Sequence, residues 1–275
     1  MRGFSGKVAI ITGGASGIGK AVGEQLARKG AHVVLADING AKANEAAESI
    51  IRAGHSATAA ELDVTDPEAV KRLVDSVASE NDRLDYLFNN AGVVVFGEAR
   101  DFSYEDWRRV IDTNLYGVVN GVAAAYSLMI EQGFGHIVNT ASLAGLVPPV
   151  GLISYVASKY GVVGLSNALR VEGARYGVKV SVVCPGLIDT PMKNSKVLNL
   201  DREKLLGAVP SLLPVDECAR VIVGGVERNK AFIVVTPMAK IAWALHRLSP
   251  NLGMWLWGRQ MDKLQAIRIA DEVRV

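Results

Sequence analysis

The chain has 275 residues, 49% of them hydrophobic and 21% charged, and its 30 basic and 28 acidic side chains leave a formal charge of only +2. That balance leaves no electrostatic footprint for a nucleic-acid partner. The apolar content excludes a disordered chain, and the length suffices for a core that needs neither disulfides nor a structural metal. Cys184 and Cys218 stand in no metal-ligand spacing, so a reduced, cytoplasmic setting is expected.

Residues Met1 to Gly6 run directly into the apolar Lys7-Val8-Ala9-Ile10-Ile11, without the apolar stretch and small-residue site of a targeting signal. Short β-rich runs then alternate with longer amphipathic stretches. The predicted strands are Val8–Ile11, His32–Ala36, Thr58–Leu62, Tyr86–Phe88, His136–Thr140, Lys179–Val183 and Phe232–Val235. The predicted helices between them are Gly17–Lys29, Ala41–Ala53, Glu68–Ser79, Tyr104–Ile130, Ser154–Tyr176 and Asp216–Arg228. Strands buried on both faces and separated by helices imply parallel βαβ units with right-handed crossovers. The expected fold is therefore α/β, a single doubly wound parallel sheet over residues 1–236.

After residue 237 the texture changes. Trp243, Trp255 and Trp257 fall close together, with Lys240, His246, Arg247 and Arg259 among them. Residues 237–275 are too few to enclose a core, so they read as a helical appendage: a lid, a subunit contact or a segment lying on a membrane surface. The longest apolar approach, Phe232 to Leu245, is broken by Pro237 and Lys240, so no membrane span is expected.

Thr12-Gly13-Gly14-Ala15-Ser16-Gly17-Ile18-Gly19 follows the first strand and opens the first helix. Glycines allow a tight turn and close approach of backbone to a ligand, and the helix N-terminus favours a diphosphate. Asp37 ends the second strand at the spacing where a carboxylate meets an adenosine ribose, and no arginine follows it. That favours NAD over NADP; a helix-capping role for Asp37 stays open. Asp63-Val64, Asn89-Asn90-Ala91-Gly92, Ser142 and Pro185-Gly186 also lie just beyond predicted strands, at the carboxyl ends that line a ligand crevice in such sheets.

Tyr155 and Lys159 are four apart and share a helix face. An ammonium beside a phenol favours the phenolate, which would make Tyr155 an acid/base. Ser142 follows a strand and precedes Tyr155 by one loop, and Asn114 is a polar residue inside a helical pattern.

Thr12-Gly13-x3-Gly17-x-Gly19, Asn89-Asn90-Ala91-Gly92, Asn114, Ser142, Tyr155-x3-Lys159 and Pro185-Gly186-x3-Thr190 together resemble the ordered motif set of the short-chain dehydrogenases/reductases. The resemblance covers about residues 5–235, in the short single-domain branch. It implies that Tyr155 is the catalytic acid/base and that Ser142 holds the substrate oxygen. Lys159 would lower the tyrosine pKa and bind the nicotinamide ribose, and Asn114 would anchor a water in a proton relay. Gly13, Ser16, Gly17, Ile18, Gly19 and Asp37 would cradle NAD, with Asp63 and Val64 at the adenine, and Asn90, Ala91, Gly92, Pro185, Gly186, Ile188 and Thr190 along the rest of the cofactor. The family often forms dimers or tetramers, so a homo-oligomer is expected.

The implied reaction interconverts a secondary alcohol and its ketone. The apolar stretches Val93–Phe96, Leu143–Leu152 and Leu187–Leu213 suggest a hydrophobic alcohol or ketone, and the apolar tail after residue 237 suggests a lipid-, steroid- or terpenoid-like one. A 3-oxoacyl-type carbonyl reductase and a non-catalytic NAD-bound regulatory protein stand as alternatives. The four histidines are scattered, so no metal is expected.

Overall fold

The computed structural model describes residues 3–207 and 212–269. Seven strands form one parallel sheet: β1 (Val8–Thr12), β2 (His32–Asp37), β3 (Ser56–Glu61), β4 (Tyr86–Asn89), β6 (Gly135–Thr140), β7 (Val178–Cys184) and β9 (Phe232–Val234), in the order β3-β2-β1-β4-β6-β7-β9. A second, two-stranded ribbon pairs β5 (Val95–Phe96) with β8 (Lys196–Val197).

Alternation along β1 shows why the sheet is covered on both faces. Ala9 and Ile11 pack in a cluster with Leu26 of α1 (Gly17–Arg28), Ile50 of α2 (Gly40–Arg52) and Ile222 of α8 (Val215–Glu227). Val8 and Ile10 pack on the other side with Val74 of α3 (Pro67–Asn81), Met129 of α5 (Gly117–Gln132) and Leu169 of α6 (Ile153–Gly173). Apolar burial on two faces is what a parallel sheet requires. Local chemistry then sets the helix starts. Asp66 accepts from the Glu68 and Ala69 N–H groups ahead of Pro67, and Ser103 with Asp106 forms a reciprocal capping box for α4 (Tyr104–Ile111).

The long helix expected over Tyr104–Ile130 is not continuous. A π-turn, Asp112–Tyr116, separates α4 from α5. The wider turn carries Asn114 inward, where it is fully buried and bonds the Val93 backbone through both amide atoms, each at 2.8 Å. Such turns concentrate at functional sites. The helix expected to reach Tyr176 ends instead at Gly173 and tightens into a 3₁₀ turn, Ala174–Tyr176.

Beyond β9, α9 (Pro237–Leu248) and α10 (Pro250–Ala266) meet at Ser249, whose hydroxyl accepts from the Leu252 N–H; α7 (Arg202–Gly207) lies earlier, in the crossover before α8. Trp243 packs on Phe232 with ring centres 5.0 Å apart, and Trp257 joins the same cluster, while Trp255 stays exposed. Among the described residues no helix is long and apolar enough to cross a membrane.

Candidate active site

The strand order reverses between β1 and β4, and the carboxyl ends of the strands flanking that point form the crevice where open α/β sheets bind ligands. The turn after β1 is built from residues that leave it bare. Gly13 has φ +64°, and a Cβ there would stand 2.9 Å from the Ala91 backbone; a Cβ on Gly19 would strike the Gly13 carbonyl. Ser16 is the N-cap of α1 but its side chain makes no capping bond, so the first-turn N–H groups are left for an anion. Thr190 faces this turn, 3.5 Å from where a Cβ of Gly17 would lie.

Around the turn the polar groups lock one another. Asn90 donates its side-chain amide to the Thr12 carbonyl at 3.1 Å, and the Asn90 and Ala91 N–H groups donate to Thr12 Oγ1 at 2.9 and 3.1 Å. Asp37, at the end of β2, accepts from the Ala15 N–H at 3.1 Å and the Asn39 N–H at 3.0 Å. The cap of α2 is Asn39, accepting from Lys42 N–H, so the alternative role for Asp37 falls to its neighbour. Asp63 ties Thr65 through two bonds and is exposed, while Val64 is buried and its carbonyl accepts from Asn120. The Pro185 carbonyl accepts from Leu143 N–H at 2.7 Å, Gly186 lies against Thr236, and Ile188 bridges to Leu213. This cradle, with its carboxylate, fits a dinucleotide. The stretch Leu187–Leu213 expected to wall the pocket is described except for 208–211, which lie outside the described residues.

Tyr155, Ser142 and Lys159 converge at the ends of β6 and β7. Tyr155 and Lys159 lie on α6, buried to 9% and 2% exposure. The Ser142 hydroxyl accepts from Ala144 N–H at 3.1 Å and stands close enough to the Tyr155 phenol to favour its ionised form. Lys159 donates to the Thr140 carbonyl at 2.9 Å, and its Nζ lies 5.5 Å from the centre of the Tyr155 ring. Burial draws the lysine down to about 8.

Burial weighs against the expected lowering of the tyrosine pKa. Burial raises the Tyr155 phenol above its ordinary value, although Ser142 pulls the other way. The ammonium does not reverse this because it sits over the ring and is spent on Thr140, where it helps the phenolate less than it would beside the oxygen. Asn114 reaches the same pocket indirectly: its amide also donates to Ser158 at 3.2 Å, and Gly92 lies between it and Lys159. Burial pushes the neighbouring Cys184 thiol up to about 12, which leaves it protonated. Thr140 lies outside the motif set, and Thr12, at the head of the glycine turn, has no role assigned by it. Their positions, last in β1 and β6, were the available signal.

Fold and crevice define a Rossmann-type oxidoreductase, and comparison with known proteins narrows the class. The model of the short chain dehydrogenases matches residues 7–201. A cyclohexanol dehydrogenase of Acinetobacter sp. (strain SE19) is 40% identical over 190 residues, covering 69% of this chain and 76% of that protein. A short chain dehydrogenase/reductase from Burkholderia phymatum, solved in complex with NAD, superposes with a TM-score of 0.85 at 30% identity, covering 92% of this chain and 96% of that one. A metagenomic short-chain oxidoreductase in complex with NADP matches with a TM-score of 0.70 at 30% identity, covering 84% and 96%. The protein belongs to the short-chain dehydrogenase family.

Proposed function

We propose that this oxidoreductase is an NAD-dependent enzyme interconverting a hydrophobic secondary alcohol and its ketone. The observation that carries the reading is the buried meeting of the Tyr155 phenol, the Ser142 hydroxyl and the Lys159 ammonium beside an open glycine turn. A nicotinamide held by the glycine turn and the residues along the crevice would supply the hydride chemistry. Tyr155 takes or returns the hydroxyl proton, Ser142 holds the substrate oxygen by hydrogen bond, and Lys159 stabilises negative charge as it develops on the phenol. Asn114 fixes Val93 on the substrate side and links to α6 through Ser158.

Two observations support the finer assignments. Asp37 points its carboxylate at the Ala15 N–H of the phosphate turn, where it would accept from a ribose and repel a 2′-phosphate. The apolar cluster around Tyr155 contains Val94, Phe96, Leu152, Met192 and Leu198, a lining suited to an alicyclic or aliphatic substrate, and a relative acts on cyclohexanol by name. A cytoplasmic homodimer or homotetramer completes the reading. The test is NADH release from secondary alcohols graded in size, with NADP as control cofactor. Silence across the panel with firm NAD binding would mean a non-catalytic protein, and NADP preference would overturn the role of Asp37.

A second reading concerns the appendage. Leu248, at 85% exposure, Leu252 and Trp255 face outward near Arg247 and Arg259, a pattern suited to loose contact with an anionic membrane surface. Vesicle flotation of the whole protein tests it; no association with anionic vesicles removes it.

A further inference from the structure

The end of the chain returns to the substrate side of the crevice. Arg268 bridges antiparallel to Leu200, Asp201 N–H donates to the Ile267 carbonyl at 2.8 Å, and Ile269 N–H donates to the Asn199 carbonyl at 3.0 Å. The Arg268 guanidinium grips Asp101 with two bonds, 2.6 and 2.8 Å, and reaches Glu98 at 3.2 Å. The three side chains are largely out of water, at 13%, 5% and 10% exposure. Asn199, in left-handed backbone at φ +48°, adds a bond to Asp101 at 2.9 Å. Upstream, Leu264 is buried over Gly151, where an added Cβ would stand 3.2 Å away.

These anchor points adjoin the chemistry. Glu98 follows β5, Leu200 follows β8, and Gly151 precedes Leu152 while its carbonyl accepts from the Gly97 N–H at 3.0 Å. Their chain neighbours Phe96, Leu198 and Leu152 pack in one apolar cluster with Tyr155. Three segments far apart in sequence thus wall the phenol's side of the cleft, and the tail ties them together from outside. Bidentate guanidinium–carboxylate pairs fix geometry as well as charge, and the arginine draws the Asp101 carboxyl down to about 2, so the pair stays ionised across the working range.

We propose that residues 264–269 form a strap that clamps the outer wall of the substrate cleft, with Arg268 as a positioning residue that makes the site prefer compact alcohols to extended ones. An extended chain leaving the cleft on this side would have to part the strap from residues 98–101 and 199–201. The preference rests on the alcohol-oxidoreductase reading; the clamp itself does not.

The experiment uses the full chain with Arg268→Ala and Arg268→Lys. In backbone hydrogen exchange without cofactor, residues 94–101 and 196–201 should exchange about tenfold faster in the alanine variant and less so in the lysine variant, with β1 and β4 unchanged. Unaltered exchange, or acceleration that includes β1 and β4, overturns the clamp. In turnover, the KM for cyclohexanol should rise about tenfold at nearly constant kcat while that for a long linear secondary alcohol does not rise. Equal losses for both alcohols overturn the preference. A wild type that oxidises neither alcohol sinks the functional reading and the preference with it, whereas the exchange result still decides the clamp.

Discussion

The two ends of the main sheet bury ionisable groups in opposite ways. At the amino end a cavity of about 290 Å³ is lined by Phe4, Lys7, Arg83, Asp85, Tyr86 and His136 among others. Its buried carboxylate is satisfied: Asp85 accepts two bonds from Arg83 at 2.7 Å and one from the Val8 N–H at 3.0 Å, and it pairs with Lys7 at 2.9 Å. His136 bonds Ser181 at 2.9 Å, and burial draws it down to about 3, so it is neutral and silent near pH 7. At the carboxyl end Lys159 is drawn down only to about 8, close enough to neutrality to respond to a neighbour. Volume and burial alone do not make a site. Groups that can still exchange a proton, gathered at the carboxyl ends of β6 and β7, mark the candidate site.

Four changes would break or sharpen this contrast. Tyr155→Phe should lower kcat by about 10³-fold, within the range for a lost general acid/base, with NAD affinity nearly unchanged; retained turnover would remove the phenol from the mechanism. At the other end, Asp85→Ala should leave kcat alone but cost about 2 kcal/mol of stability, because the buried Val8 N–H loses its acceptor while Arg83 and Lys7, each about a third exposed, can turn to water. Denaturant unfolding reads that cost, and an activity loss at matched folding would blur the contrast. If the proposed role of Asp37 holds, Asp37→Ser removes a charged acceptor and should shift the NAD/NADP ratio of kcat/KM values toward NADP by about 10–100-fold.

The smallest effect is acid sensitivity at His136. Its folded pKa of about 3 lies below the free value of 6.5, so between those limits the unfolded chain binds a proton that the native protein refuses. Stability from this group is full above pH 6.5 and falls as the pH drops toward 3, by about 1 kcal/mol at pH 5.5. His136→Gln should flatten that slope, and an unchanged slope would place the acid sensitivity elsewhere.

Much of this was legible in the chain because short-range rules carried it. All seven strands of the main sheet fall where apolar runs were read, within a residue or two, and the glycine turn lies where its motif stands. What escaped depends on distant partners. The apolar pattern runs unbroken through Leu115 and Tyr116, so nothing local announced the π-turn that Asn114 and Val93 stabilise across the fold. The β5–β8 ribbon has two residues a side, below any periodic signal. The Tyr155–Lys159 spacing was visible, but the weight of burial on the phenol was not. The strap joins residues about 170 positions apart, and no spacing rule reaches that far.

The two thiols supply a built-in reporter. Cys184 and Cys218 are each fully enclosed, and burial pushes each up to about 12. A soluble alkylating reagent therefore finds neither sulfur until the surrounding β7 or α8 gives way. Under native conditions the pace of labelling counts opening events, and differential labelling of the two positions would tell whether the catalytic half and the outer helix yield together or in turn.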